Sequence, residues 1–317
     1  MRSFARMALL AGAVGLALTG GAAAQADKPL TIMASVPGLS FPFFVHMMNQ
    51  MKAEAEALGN ITVVESDGQN QTPKQTADVE TAITQGVDGI VISPREVDAM
   101  APAIQQAVDA GIPVVTIDRR VDAVPGILAH VGADNVKGGE AQGELIKKLF
   151  PDGANIINLQ GTPGASPAID RNQGLHNVLD AEPDKYKFVF EQTAEFRRAD
   201  GLSVTESALA GMDAPPDVIV AGNDDMALGA VEALKGRNFT GVTVIGFDAL
   251  PEALAAVRDG SLTATVEQYP GGQSRGAVQA LVKFLRDGTQ PEKLVLLTPV
   301  AITKDNINEA ERLGELQ

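Results

Sequence analysis

Residues 30–59 read LTIMASVPGLSFPFFVHMMNQMKAEAEALG, and this stretch decides the fold class. Leu30–Ser35 is a short, almost wholly apolar run, read as a strand. A Pro/Gly/Ser turn follows. Pro42, favoured at the first helical position, then opens a helix to about Leu58, stopped by Gly59. The same unit recurs along the chain. Ile61–Glu65, Gly89–Ser93, Pro113–Ile117 and Ile127–Val131 read as strands, with helices at Lys74–Gln85 and Val97–Ala110. The series restarts with helix Val136–Leu149. It continues with strands at Asn155–Leu159, Lys187–Gln192, Asp217–Val220 and Val242–Ile245, separated by helices Ala168–Leu179, Ala199–Ala210 and Asp225–Lys235. Helix Pro251–Arg258, extended Thr263–Glu267, helix Ser274–Arg286 and extended Leu294–Leu297 complete it. Near-continuous apolar strands alternating with helices predict parallel α/β sheets covered on both faces. Ten or more strands exceed one comfortable open sheet, so two doubly wound units are expected. Residues 132–134 and 268–272 are candidate places for the chain to cross between them.

Composition narrows the function. The chain has 317 residues, enough for two domains, with 45% hydrophobic and 21% charged residues, as a folded protein requires. There is no Cys, which excludes a disulfide, a thiolate nucleophile, an Fe–S cluster and a Cys-type zinc site. The formal charge of −15 argues against a nucleic-acid partner, which demands a clustered basic face, and against docking on anionic lipid.

The N-terminus addresses the protein. Arg2 and Arg6 precede an apolar run, Met7 to Thr19, and small residues follow it, Gly20 to Ala24. This is the layout of a secretory signal over residues 1–26, cleaved after Ala24 or Ala26. The run is shorter than the roughly 20 residues of a membrane span. Removing two of the 25 basic residues leaves 23 against 40 acidic ones, so the mature chain carries −17. An exported, soluble protein is expected.

In doubly wound sheets a ligand sits beyond the carboxyl ends of the strands, so the residues just after each strand are the informative ones. They are Phe43 and Phe44, then Asp118 and Arg119, then Arg171 one turn into its helix. Phe196, Asn223, Phe247, Asp248 and Gln268 follow in the second half. Asp, Asn, Arg and Gln beside Phe suit a sugar or polyol. Each hydroxyl both donates and accepts, a carboxylate accepts from two neighbours, and a guanidinium fork donates to two. Aromatics suit the apolar ring faces. Taken singly, each has a plain structural reading. Asp118, Asp248, Asn223 and Asp224 would serve as caps, Arg171 as a solvated helix residue, and Phe43 and Phe44 as core. Recurrence at strand ends in both halves favours the site.

At these residues the sequence resembles the periplasmic sugar-binding proteins of ABC importers, in the ribose- and inositol-binding group. The marks are Phe41-Pro-Phe-Phe44, Val114-Val-Thr-Ile-Asp-Arg119, Val131-Gly-Ala-Asp-Asn135, Ile169-Asp-Arg171, Asn223-Asp-Asp-Met-Ala-Leu-Gly229, Val244-Ile-Gly-Phe-Asp248 and Ala264-Thr-Val-Glu-Gln268. They occur in order over about residues 30 to 310. The resemblance implies the type I periplasmic binding protein fold: two doubly wound, Rossmann-like α/β lobes joined by a three-crossover hinge. The lobes would be 27–132 plus 269–298 and 133–268 plus 299–317, closing on the ligand by hinge motion. It implies that Phe43, Phe44 and Phe196 flank the sugar ring, with Phe247 lining the same cleft. Asp118, Arg119, Arg171, Asn223, Asp248 and Gln268 would bond its hydroxyls. An inner-membrane ABC permease would read the closed form. Ribose binders carry Asn just before Pro-Phe-Phe, where this chain has Phe41. Similarity from Phe247 to Leu254 and from Thr298 to Thr303 leans toward inositol binders.

Other functions fit the sequence less well. A sugar-responsive repressor of this fold needs an N-terminal helix-turn-helix, where this chain has the signal. An enzyme is not expected: G-x-x-x-x-G-K-[ST], H-E-x-x-H and G-x-S-x-G are absent, and His46, His130 and His176 are scattered. A sensor docking on a chemoreceptor or sensor kinase stays open. No cofactor and no metal are expected, and a monomer is.

Overall fold

The computed structural model describes residues 28–316; the expected signal peptide lies outside them. In chain order the elements are β1 (Leu30–Val36), α1 (Pro42–Leu58), β2 (Ile61–Asp67), α2 (Thr72–Gln85), β3 (Gly89–Ile92), α3 (Ala101–Asp109), β4 (Val114–Ile117) and β5 (Ala129–Ala133). Next come α4 (Asn135–Leu149), β6 (Ala154–Gln160), α5 (Ser166–Leu179), β7 (Tyr186–Thr193), α6 (Arg198–Ala210), β8 (Val218–Ala221), α7 (Asp224–Gly236) and β9 (Thr243–Ile245). The chain ends with α8 (Pro251–Asp259), β10 (Thr265–Glu267), α9 (Pro270–Asp287), β11 (Leu294–Leu297), β12 (Val300–Ile302) and two short 3₁₀ turns.

The strands form two parallel sheets, ordered β11-β5-β4-β3-β1-β2 and β7-β6-β8-β9, and a small antiparallel pair, β10-β12. The central strands β3, β4 and β8 are buried at every residue, because helices cover both faces. The edge strands β2 and β7 have largely half-buried or exposed residues. In each sheet the first strand of its series has its second on one side and its third on the other. That order creates a switch point beyond the strand ends, β1/β3 in one sheet and β6/β8 in the other. The chain leaves or re-enters the six-stranded sheet three times, between β5 and β6, between β10 and β11, and between β11 and β12. No helix among the described residues is long and apolar enough to cross a membrane.

Two differences from the sequence reading have physical causes. The helix expected from Val97 begins at Ala101. Pro102 favours a start there, and the Val97 amide is bonded to Gly164 O at 2.9 Å, in the loop after β6. Strand β12 was not expected. It is three residues long, follows Pro299, and exists by pairing with β10.

Helix packing also prepares the site. A Cβ on Gly139 in α4 would lie 2.0 Å from Arg171 O, and one on Gly174 in α5 would lie 2.0 Å from Val136 O. The two helices touch backbone to backbone, which fixes the turn of α5 that carries Arg171.

Candidate ligand-binding site

A small cavity lies between the two sheets, at their switch points. Nine of the ten expected residues line it: Phe43, Phe44, Asp118, Arg119, Arg171, Phe196, Asn223, Asp248 and Gln268. Phe41, Pro167 and Asp225 complete the wall.

The first sheet supplies three rings and an ion pair. Pro42 starts α1 directly after Phe41, so Phe43 and Phe44 lie in its first turn. Phe44 meets Phe41 edge-on at 6.0 Å and Phe43 at 5.3 Å. Asp118 follows β4 with a positive φ of 58°. It accepts from Ser93 Oγ at 3.0 Å and faces Arg119 Nε at 3.8 Å. Arg119 donates to Arg95 O at 2.8 Å, but its buried Nε has no hydrogen-bond partner.

The second sheet answers with the same chemistry. Arg171 donates to Asn135 Oδ1 at 2.8 Å and Gly222 O at 2.6 Å, and lies 3.5 Å from Asp248 Oδ1. Its guanidinium sits 3.6 Å from the Phe247 ring centroid. Phe247 itself is fully buried and is not among the lining residues. It stacks behind Arg171 and aims the fork, whereas a wall position was expected of it. Phe196 lies between the two guanidinia, 5.7 Å from Arg119 and 5.9 Å from Arg171. Gln268 Nε2 donates to Asp248 Oδ1 at 2.6 Å. Asn223 lines the cavity and also caps α7, accepting from Met226 N at 3.0 Å. The capping and binding readings of Asn223 therefore coexist. Asp248 caps nothing: the cap residue of α8 is Leu250.

Burial shapes the charges. It pushes the Asp248 carboxyl up to about 7 despite the opposing effect of Arg171, and it also raises Asp118. It lowers Arg119 to about 10, which leaves the guanidinium protonated at neutral pH. Two acids and two forks, held apart by rings, place acceptors and donors on the cavity wall, where their burial strengthens the hydrogen bonds they make. Asp118, Phe196 and Asp248 all have positive φ, a conformation that non-glycine residues seldom adopt and that clusters at functional sites.

His46, His130 and His176 lie on α1, β5 and α5, away from this cavity. Among the described residues no group of three or more His, Asp or Glu is placed to hold a metal ion.

Residues 32–290 match the family model described as the periplasmic binding protein domain, and the chain belongs to that family. The chain is 42% identical over 247 residues to the ribose import binding protein RbsB of Bacillus subtilis, covering 77% of each. It is 37% identical over 285 residues to the RbsB of Escherichia coli, covering 89% of this chain and 93% of that protein. The crystal structure of a Caulobacter myo-inositol binding protein bound to myo-inositol superposes with a TM-score of 0.88 at 41% identity. That match covers 90% of this chain and 97% of the other.

Proposed function

We propose that the chain binds one monosaccharide or cyclitol, without turnover, and hands it to the membrane permease of an ABC importer. The observation that carries this reading is the wall composition. Asp118 with Arg119 and Asp248 with Arg171 come from different sheets, joined by Asn223 and Gln268 and flanked by Phe43, Phe44 and Phe196. The names of the relatives, ribose import and myo-inositol binding, agree with it. Among such ligands myo-inositol is the first choice. Phe41 contributes an apolar surface to the wall where the resemblance puts an Asn in ribose binders.

The division into lobes 27–132 plus 269–298 and 133–268 plus 299–317 is part of this proposal. The three points where the chain leaves or re-enters the six-stranded sheet support it. The protein would work in the periplasm as a monomer after cleavage near Ala24 or Ala26, with no nucleic-acid partner. Titration calorimetry of the mature protein against myo-inositol, D-ribose, D-galactose and glucose tests the reading. A saturable one-to-one heat with at least one of them is expected. Silence with all four, or hydrolysis of a chromogenic glycoside, would overturn it.

A further inference from the structure

Asp224 and Thr265 are completely buried, and neither lines the cavity. Asp224 is the first residue of α7, where an acidic side chain is commonly a cap. Here Asn223 already fills that role, with its Oδ1 on the Met226 amide. The Asp224 carboxylate turns instead to the loop after β9. Its Oδ2 accepts from Leu250 N at 2.8 Å, its Oδ1 accepts from Thr265 Oγ1 at 2.7 Å, and its own amide donates to Phe247 O at 2.7 Å. Thr265 Oγ1 in turn accepts from Ala249 N at 3.1 Å. The approach is so close that a Cβ on Gly246 would fall 2.1 Å from Asp224 Oδ1.

The clamped loop is unusual. Asp248 and Ala249 follow one another with φ of 111° and 49°, values that L-residues rarely adopt and that persist only when the surroundings over-determine them. Three successive amides are all engaged: Asp248 N on Val266 O at 2.8 Å, Ala249 N on Thr265, Leu250 N on Asp224. The geometry points to Asp224 and Thr265 as positioning residues. They hold the 248–250 turn in its strained form and so place the Asp248 carboxylate against Gln268, Arg171 and the ligand. Released, the turn would relax toward ordinary φ values and swing the carboxylate out of reach of Arg171.

This inference rests on the proposed polyol site, and the test separates the two. Amide hydrogen exchange of the ligand-free wild-type protein comes first. Ala249 and Leu250 should exchange at least a hundredfold more slowly than an unstructured chain; unprotected amides there would overturn the clamp. Thr265→Ala should then speed exchange at Ala249 at least tenfold and raise Kd for myo-inositol or D-ribose at least tenfold. Thr265→Ser, which keeps the hydroxyl, should restore both to within threefold. If Thr265 acts through Asp248, Thr265→Ala should change Kd by less than twofold in an Asp248→Ala background. The same fold-loss in both backgrounds, or wild-type affinity in a folded Thr265→Ala protein, would refute the positioning role. Should wild-type protein bind neither polyol, the ligand reading fails, and exchange at residues 249 and 250 still decides the clamp.

Discussion

Arg120, in the loop after β4, forks onto Asp170 in α5: Nη2 lies 3.0 Å from Oδ1 and Nη1 bonds Oδ2. The pair bridges the two sheets at the edge of the cavity, and the Arg120 amide also donates to Ser166 Oγ at 3.0 Å. Asp170 is the chain neighbour of Arg171, so one turn of α5 meets the opposite side with its outer residue and the cavity with its inner one. Such a contact requires the two halves to be closed together. A partly exposed, two-pronged ion pair contributes about 1 kcal/mol, or about fivefold in affinity. Asp170→Asn should weaken ligand binding by about that factor, chiefly through faster release. It should also enlarge the radius of gyration of the ligand-free protein in small-angle scattering. Raising the salt concentration should narrow the gap between variant and wild type. Equal Kd and equal scattering would show that the pair is incidental.

The two acids test the proposed site directly. Losing a hydrogen bond to a charged group costs about 1.5–3 kcal/mol, or about ten- to 150-fold in affinity. Asp118→Ala and Asp248→Ala should each raise Kd at least tenfold while the melting cooperativity persists. Asp118→Ala also strips the Ser93 hydroxyl of its acceptor, so its melting temperature should fall somewhat. Wild-type affinity in both variants would remove them from the site.

Asp248 also predicts a pH dependence. Burial, the largest cause, holds its folded carboxyl at about 7, well above the ~3.9 of an exposed Asp. The ligand-free folded chain therefore keeps this proton where the unfolded chain has lost it. The stabilisation from this group is fully present below about pH 4 and is lost as pH rises to 7. Binding has the opposite sign, because a carboxylate that accepts ligand hydroxyls must first ionise. Kd should rise as pH falls below 7, by at most tenfold per unit from this one proton. Calorimetry at pH 5.5, 6.5 and 7.5 measures it, and Asp248→Asn should flatten the curve. A wild-type Kd independent of pH over this range would contradict the assignment.

The strand–helix alternation was legible because parallel strands buried on both faces need continuous apolar runs, as Val114–Ile117 and Val218–Ala221 show. The wall residues were legible because doubly wound topology sends strand ends to one place. What sequence could not show is pairing across distance. Arg120 and Asp170 are 50 positions apart, and no local pattern joins them. Asn135, which orients Arg171, begins a helix and carries no sign of that task. Asp225 in the first turn of α7 and Pro167 in the first turn of α5 also line the cavity, and neither was expected to. The positive φ values of Asp118, Phe196 and Asp248 are imposed by tertiary bonds, so no glycine marks them.

Arg171 tests whether the site needs a fork or only a charge. Its Nε and Nη1 serve three acceptors while its plane stacks on Phe247, and a lysine ammonium can neither stack so nor span them. Arg171→Lys should raise Kd at least tenfold and lower the melting temperature, because Asn135 and Gly222 O lose a buried partner. An unchanged Kd would make the guanidinium a structural strut only.

Phe41 bears on ligand choice. It occupies the cap position of α1 with an extended backbone and no side-chain cap bond, and its ring packs edge-on to Phe44 at the cavity wall. Asn at this position could accept from the free amides of the first turn, worth about 1 kcal/mol, or turn its amide toward a ligand hydroxyl. Either use offsets part of the lost ring burial, so Phe41→Asn should stay folded. If the ring disfavours ribose by denying it a polar partner, the substitution should raise the ratio of the myo-inositol Kd to the D-ribose Kd at least tenfold. Competition calorimetry with the two ligands reads that ratio directly. If both constants shift by the same factor, Phe41 only fills space, and selectivity must come from the placement of Asp118, Asn223 and Gln268.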